Sequence, residues 1–304
     1  MDALGRGVAP EAAAVRRALL AWYDHEHRDF PWRGTNDPYA VLVSEVMLQQ
    51  TQASRIADRF PRFMSRLPTA GALASAPVTA VLAEWNGLGY NRRALALQRA
   101  AAIVAREGWP ADVAGLERLP GIGPYTARAV ASLAFGEPVG VVDTNVRRWL
   151  IRRFAAPDAP GALQSVADAL AGARPDGRAA DWTHASMEFG AAVCRPRRPR
   201  CDACPIAIGC PSRGTSAPVP VPRQPSLRGS DRAYRGAIVR MLTAAEGHAL
   251  PAADLRTRLA DGADRIGPEL DVAAWRRVID GLEHDGLAHR HGGLVRLGAA
   301  TIEP

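Results

Sequence analysis

All four cysteines of the chain lie within one short stretch, CRPRRPRCDACPIAIGC. Their spacing is Cys194-x6-Cys201-x2-Cys204-x5-Cys210. The N-terminus shows no signal-peptide pattern, so thiols this close together favour a metal site over a disulfide framework. Zinc is one alternative, but zinc modules usually show two close pairs of cysteines, whereas this stretch has a single CxxC. Unequal spacings within one compact loop favour a four-cysteine iron–sulfur cluster.

Two carboxylates stand where they could perform acid–base or electrostatic chemistry. Glu45, in VSEVMLQQTQASRI, has the apolar neighbours Val43, Val46 and Met47. A carboxyl group buried among them would have a raised pKa and could hold a proton near neutral pH, although many helices carry a partly exposed acid. Asp143, in VVDTNVRRWL, stands where strand-like residues give way to a helix, so its simplest role is that of an N-cap.

The segment LPGIGPYTARAV, residues 119–130, predicts a tight turn followed by a helix that begins at Pro124. Gly121 and Gly123 lack a Cβ atom, which lets the backbone approach another group closely. Amides of the turn and of the helix N-terminus would then point at an anion such as a phosphate. In isolation, the same turn could simply connect two helices.

The positive charge of the chain is unevenly distributed along the sequence. Its basic side chains, histidine apart, are all arginine. The formal net charge is +7, the pI is about 9.9, and all 38 basic residues are arginine. Residues 228–304 contain 11 arginines and 11 acids, so the whole excess lies in residues 1–227. This favours an anionic partner such as nucleic acid, although genome composition can also enrich arginine. Without lysine, no side chain can form a Schiff base.

Apolar residues recur at helical spacing through most of residues 1–210, which predicts an all-α fold with many short helices. We predict a helical domain over 1–213, a Pro- and Ser-rich linker over 214–227, and a small module over 228–304. Three helices and a β-hairpin turning at His291–Gly293 indicate a winged-helix module. No run is long enough to span a membrane, so we expect a cytoplasmic protein.

Five motifs in order make residues 15–212 resemble the iron–sulfur DNA glycosylases with a helix-hairpin-helix fold. They are SEVMLQQTQ, NGLGY, LPGIG, VVDTN and the cysteine loop. The cysteine spacing matches the [4Fe-4S] loop of this superfamily in full, and SEVMLQQTQ closely resembles the signature of the adenine glycosylase (MutY) family. The resemblance implies that Cys194, Cys201, Cys204 and Cys210 hold a [4Fe-4S] cluster.

The resemblance also implies the roles of four catalytic residues. Glu45 would protonate N7 of adenine and make the base a leaving group. Asp143 would steady the positive charge on the deoxyribose or form a transient bond to it, and Asn145 would orient Asp143. Tyr125 stands where lyase-competent relatives carry a lysine, so the expected product is an intact strand with an abasic site.

Further positions are implied to contact DNA or the extruded base, because the glycosidic bond is inaccessible inside a duplex. Gln50 would enter the gap left in the base stack, and Tyr90 matches an inserted tyrosine. The full set is Arg28, Trp32, Arg33, Gln49, Gln50, Thr51, Tyr90, Gly121, Gly123 and Glu188.

Three features depart from the pattern of the family. Thr144 replaces a glycine, Asn91 replaces a second tyrosine, and residues 228–304 are too short and too helical for the Nudix-like domain of many adenine glycosylases. Two other functions therefore stay open: a glycosylase for T or U opposite G, and a non-catalytic iron–sulfur DNA-binding protein. The LQQTQ segment favours adenine, and the presence of both Glu45 and Asp143 favours an enzyme.

The predicted function is excision of adenine opposite 8-oxoguanine or guanine in base excision repair. The expected partner is double-stranded DNA with a mispaired or oxidised base. We expect a monomer, associated with the nucleoid and without a membrane partner.

Overall fold

The computed structural model describes residues 3–173, 177–215, 219–220 and 225–300, and these residues are mainly helical. The α-helices are α1 Ala3–Glu26, α2 Pro38–Leu48, α3 Ala53–Ala57, α4 Arg59–Arg66, α5 Ala70–Ser75, α6 Val78–Trp85, α7 Arg92–Glu107, α8 Val113–Glu117, α9 Pro124–Phe135, α10 Thr144–Phe154, α11 Pro160–Ala171, α12 Ala179–Ala192, α13 Asp231–Ala244, α14 Ala252–Asp261, α15 Ala263–Ile266 and α16 Val272–His284. The strands are β1 Ala249–Pro251, β2 Ala288–His291 and β3 Leu294–Leu297, and two 3-10 turns cover Cys201–Ala203 and Glu246–His248.

The chain forms two compact units, each built from two separate segments. The first unit comprises residues 1–49 and 109–222, and the second comprises residues 50–108 and 223–304. These units do not follow the predicted boundaries at 213 and 228, because the helices of 50–108 group with the C-terminal module. The predicted boundaries of the helical domain, the linker and the C-terminal module therefore stay a prediction. No described helix is long and apolar enough to cross a membrane.

The core of the first unit lies among α1, α10, α11 and α12. Its largest buried side chains include Leu19, Trp149, Leu150 and Phe189. Helix α2 packs on α9, and α8 and α9 form the predicted helical hairpin. In the part of the chain that the structure describes, no strand precedes Ala249, which confirms the all-α prediction for residues 1–210.

The second unit contains α3 to α7 together with the C-terminal module. The module runs α13, β1, α14, α15, α16, β2, β3, and its antiparallel sheet has the order β1-β3-β2. The predicted hairpin is present, with His291 opposite Leu294 across a turn at Gly292 and Gly293. Strand β1 and the short helix α15 were missed by the sequence analysis. The order of elements is that of a winged helix, and α13 contacts α6.

Most of the predicted linker lies outside the described residues, namely 216–218 and 221–224. Pro220 is described, and its carbonyl accepts a hydrogen bond of 2.8 Å from Arg147 Nη1 in α10. That contact ties this point of the linker to the first unit.

Candidate active site

Glu45 lies inside α2, a helix whose residues 39–47 are all buried. Its side chain is 5% exposed, and Oε2 has no hydrogen-bond partner among the described residues. Burial raises the pKa of Glu45 to about 7; a hydrogen bond with Tyr125 lowers it and the charge of Asp143 raises it. The carboxyl group can therefore hold a proton near neutral pH. The predicted burial of this residue is observed.

Asp143 is the N-cap of α10, and its carboxylate also contacts the side chain of Asn145. Oδ1 accepts from the backbone amides of Asn145 and Val146 at 2.8 and 2.6 Å, and Oδ2 accepts from Asn145 Nδ2 at 2.8 Å. Burial raises the pKa of Asp143, while these hydrogen bonds lower it in part. The helix N-terminus adds positive potential at the carboxylate. Asn145 therefore contacts the carboxylate that it is predicted to orient, and the orienting role stays a prediction.

Tyr125, in the first turn of α9, brings the catalytic candidates together. It hydrogen-bonds Glu45, and burial together with the charges of Glu45 and Asp143 raises its pKa well above the usual range. Its hydroxyl also lies 4.0 Å from Met187 Sδ on α12. A neutral phenol therefore contacts Glu45 and lies close enough to Asp143 to feel the charge of its carboxylate.

Arg148 connects this site to the cysteine loop, and sequence reasoning did not single it out. Its Nη2 donates to Asn145 Oδ1 at 2.9 Å, and its Nε donates to the carbonyl of Cys194 at 2.7 Å. A continuous chain of hydrogen bonds therefore runs from Asp143 through Asn145 and Arg148 to Cys194. Its sequence signal was the VRR that follows Asp143, which reads equally well as ordinary helix surface.

Glu188 on α12 is 1% exposed and is bound by two arginines from the segment before α2. Arg28 binds it through both carboxylate oxygens, at 2.5 and 3.1 Å, and Arg33 Nη2 donates to Oε2 at 2.7 Å. Burial alone would raise the pKa of Glu188, but the two guanidinium groups outweigh it and hold the pKa below the usual value. These three predicted site residues meet in one cluster.

Aromatic rings support the arginine cluster. Trp32 is only 5% exposed and stacks on Phe30, with ring centroids 4.7 Å apart and planes 6° from parallel. The guanidinium groups of Arg28 and Arg33 lie 5.1 and 5.0 Å from the centroid of Phe30. Trp32 therefore packs on Phe30, a residue that the sequence analysis did not select.

The hairpin turn between α8 and α9 has the geometry predicted for it. Gly121 has φ +77°, which strongly favours glycine. Gly123 is the N-cap of α9, and a Cβ atom there would meet nothing within 4 Å. In the same unit, Gln49 Nε2 donates to Thr126 Oγ1 at 3.1 Å and is thereby held beside the first turn of α9.

Gln50, Thr51 and Tyr90 belong to the second unit. Gln50 has φ +55° and Tyr90 has φ +48°, and both are among the few described residues other than glycine with positive φ. Such a conformation costs about 1–2 kcal/mol per residue for an L-amino acid. Strained backbone of this kind is concentrated at functional sites.

The four cysteine side chains form no disulfide and line one cavity, together with Arg152 and Ile206. Burial raises the pKa of Cys204 to about 11 and also raises that of Cys194, whose Sγ lies 3.7 Å from Arg152 Nη1. Within the described chain, no three Cys, His, Asp or Glu side chains form a set that could hold a single metal ion. Four cysteine sulfurs that line one cavity match in number and type the ligand set of a four-cysteine iron–sulfur cluster.

Comparisons with known proteins agree with this arrangement. The profile described as HhH-GPD superfamily base excision DNA repair protein matches residues 43–171. An adenine DNA glycosylase of Mycobacterium tuberculosis is 43% identical over 238 residues, which cover 75% of this chain and 78% of that protein. The human adenine DNA glycosylase is 42% identical over 232 residues, covering 69% of this chain and 41% of the human protein.

Solved structures resemble the same part of the chain. A thermostable thymine-DNA glycosylase has a TM-score of 0.61 and 29% identity, covering 66% of this chain and 96% of that one. A trapped endonuclease III–DNA covalent intermediate has a TM-score of 0.57 and 23% identity, covering 67% and 95%, and supports the fold alone. The resemblance seen in the sequence is confirmed: the chain belongs to the adenine DNA glycosylase family within the HhH-GPD superfamily.

Proposed function

We propose that this protein is a DNA glycosylase that hydrolyses the N-glycosidic bond of adenine mispaired with 8-oxoguanine or guanine. One observation carries the proposal: Glu45 is buried, has an oxygen without a hydrogen-bond partner in the described structure, and interacts with the charge of Asp143, and burial raises its pKa to about 7. A proton donor and an anion in one buried site suit a reaction that expels a base and leaves a cationic sugar. The relatives named adenine DNA glycosylase support adenine as that base.

The proposed reaction uses each of these groups in turn. Glu45 donates its proton to N7 of the extruded adenine, and the electron pair of the C1′–N9 bond moves into the base. Asp143 stabilises the oxocarbenium ion that remains, or forms a transient bond to C1′. Water then adds at C1′ and its released proton restores Glu45. Tyr125 keeps Glu45 in place, and Asn145 with Arg148 keeps Asp143 in place.

The product is an abasic site in an intact strand. Tyr125 stands at the position of the lyase lysine, and the chain contains no lysine. The strand should break only after alkali or heat, and borohydride should trap almost no enzyme–DNA adduct. Efficient trapping by the unmodified protein would contradict this part of the proposal.

The four cysteines are proposed to hold a [4Fe-4S] cluster, which would fix the fold of the loop. Arg195, Arg197, Arg198 and Arg200 are all exposed in this loop and can contact phosphates. Anaerobically purified protein should be brown and absorb near ~400 nm, as iron–sulfur charge transfer does. A colourless protein with one zinc ion per chain would overturn the assignment.

The deciding experiment measures single-turnover excision on duplexes with A:8-oxoguanine, A:G, T:G and U:G pairs. Release of adenine alone supports the proposal. Release of thymine or uracil would favour the activity named for the thymine-DNA glycosylase neighbour. Binding without any excision would favour a non-catalytic DNA-binding protein. The predicted nucleoid-associated location and monomeric state depend on this DNA substrate and stay predictions.

A further inference from the structure

The C-terminal winged-helix module uses several of its arginines in internal ion pairs. Arg277 on α16 pairs with Asp231, and Arg290 on the hairpin pairs with Asp280 and Glu283. Together with the balance of 11 arginines and 11 acids in residues 228–304, these pairs reduce the positive charge that Arg277 and Arg290 can offer to DNA. Another arginine of the module, on α13, makes a different kind of contact.

One arginine of the module instead contacts Tyr90, a predicted DNA-inserting residue in the same unit. Arg232, in the first turn of α13, donates a hydrogen bond from Nη1 to the hydroxyl oxygen of Tyr90. Its guanidinium carbon also lies 4.9 Å from the centroid of the Tyr90 ring. Arg93 adds a second guanidinium 5.4 Å from that centroid. The partly exposed ring is therefore held at its hydroxyl and over its π system.

The loop that carries Tyr90 is fixed on both sides. Before the tyrosine, the indole of Trp85 and Nη2 of Arg93 donate to the carbonyl of Gly89 at 3.1 and 3.2 Å. After it, Arg92 lies 3.2 Å from Asp285 of the module, a carboxylate with a 4% exposed side chain that also binds Arg235. These contacts hold Tyr90 in its strained conformation, with φ +48°.

We propose that Arg232 is a positioning residue that presents the Tyr90 ring for insertion into the DNA base stack, so that the C-terminal module acts in mispair recognition through this contact. The inference rests on the proposed function, because it assumes a duplex substrate with a mispair. It assigns to the module a role in ordering a DNA-contacting side chain before binding. Ordering a side chain in advance lowers the entropic cost of association.

The test compares full-length variants by stopped-flow fluorescence and by binding. The probe is a duplex with 2-aminopurine next to an A:8-oxoguanine pair, whose fluorescence rises when the stack is opened. Arg232→Met removes the guanidinium and keeps the stem, and Tyr90→Phe removes only the hydroxyl acceptor. Arg240→Met is the matched control, since Arg240 is an exposed arginine of the same helix.

Arg232→Met should lose most of the fluorescence rise and weaken mispair binding about tenfold, which corresponds to ~1.4 kcal/mol. Tyr90→Phe should act in the same direction, and the double variant should be no worse than Arg232→Met, because Arg232→Met already removes the hydrogen bond that Tyr90→Phe removes. Arg232→Lys should restore part of the signal by returning a cation and a donor. Arg240→Met should weaken mispaired and matched duplexes alike, with the amplitude intact.

Equal behaviour of Arg232→Met and Arg240→Met would overturn the inference. If Arg232→Met melts below the assay temperature, Tyr90→Phe decides, and an unchanged amplitude overturns the inference. Failure of the proposed function is seen separately, as absence of adenine release by the unmodified protein. An Arg232-dependent signal in such a protein would still support the positioning role.

Discussion

Glu45 and Glu188 are both buried carboxylates of the candidate site, yet their surroundings shift their protonation in opposite directions. Glu45 lies on an apolar helix, has one oxygen without a described partner and has a pKa of about 7. Glu188 is bound by Arg28 and Arg33, which hold its pKa below the usual value. Burial therefore does not decide the charge of a carboxyl group; the cations that face it do. One region keeps a proton to donate, and the other keeps a fixed negative charge.

Removing the proton of Glu45 should have the largest effect. Glu45→Gln keeps the shape of the side chain, and we expect excision to slow by at least ~10²-fold, the usual scale for loss of a general acid. DNA binding should change little. The unmodified enzyme should also slow as pH rises above about 7, where Glu45 loses its proton.

Single-turnover rates measured from pH 5 to pH 9 check both statements. Asp143→Asn serves as a second variant that should be comparably slow. Normal rates in Glu45→Gln would show that the proton comes from another group. The proposed contrast between a proton-donating Glu45 and a charged Glu188 would then be wrong.

The same contrast should appear in stability. The raised pKa of Glu45 means that the folded state binds more protons than the unfolded chain between pH 4.5 and 7. Stability from this residue is thus lost as pH rises through that window. The difference in free energy of unfolding between Glu45→Gln and the unmodified protein should shift by ~3 kcal/mol in favour of the variant when the pH is raised from 4 to 8. Urea denaturation at both pH values measures the change, and a constant difference would refute a raised pKa.

Glu188 should show the opposite sign. Because its pKa is lowered in the folded state, its contribution is present above the pKa of the unfolded chain and is lost as pH falls through the folded value. We expect Glu188→Gln to cost ~2 kcal/mol at pH 7, since two guanidinium groups lose their counter-charge and one of them is partly exposed. The cost should shrink in acid. Denaturation at pH 7 and pH 3.5 checks this, and a cost that grows in acid would contradict the ion cluster.

A change at the hairpin touches neither carboxylate and should have the smallest effect. A Cβ atom added at Gly123 would meet nothing within 4 Å, and the residue does not have positive φ, so we expect Gly123→Val to fold normally. It should weaken binding about tenfold on every duplex, because a phosphate contact carries no sequence information. Anisotropy titrations on mispaired and matched duplexes measure this. Altered base preference at full affinity would rule out a phosphate grip.

The contrast between the carboxylates could be foreseen only in part from the sequence. Apolar residues next to Glu45 in the sequence predicted its burial, because that signal is local. The N-cap role of Asp143 was likewise predicted from the adjacent sequence. The partners of Glu188 lie 155 and 160 residues away, so family resemblance could group them but no local pattern could give their contacts.

Other features were missed for similar physical reasons. Strand β1 has three residues and owes its existence to pairing with β3, almost fifty residues later. Arg148 and Arg232 look like surface arginines until their distant partners are known. The grouping of residues 50–108 with the C-terminal module is also set by tertiary contacts, which a boundary drawn from composition cannot detect.

The strained backbone of Gln50 and Tyr90 has a consequence for laboratory evolution. Glycine adopts positive φ readily, so Gln50→Gly and Tyr90→Gly should relieve conformational strain in the free protein. A library selected only for heat resistance would then accumulate glycine at positions 50 and 90 and lose repair activity. Positions at which selection for stability and selection for activity favour different residues would therefore identify the strained backbone that serves DNA contact.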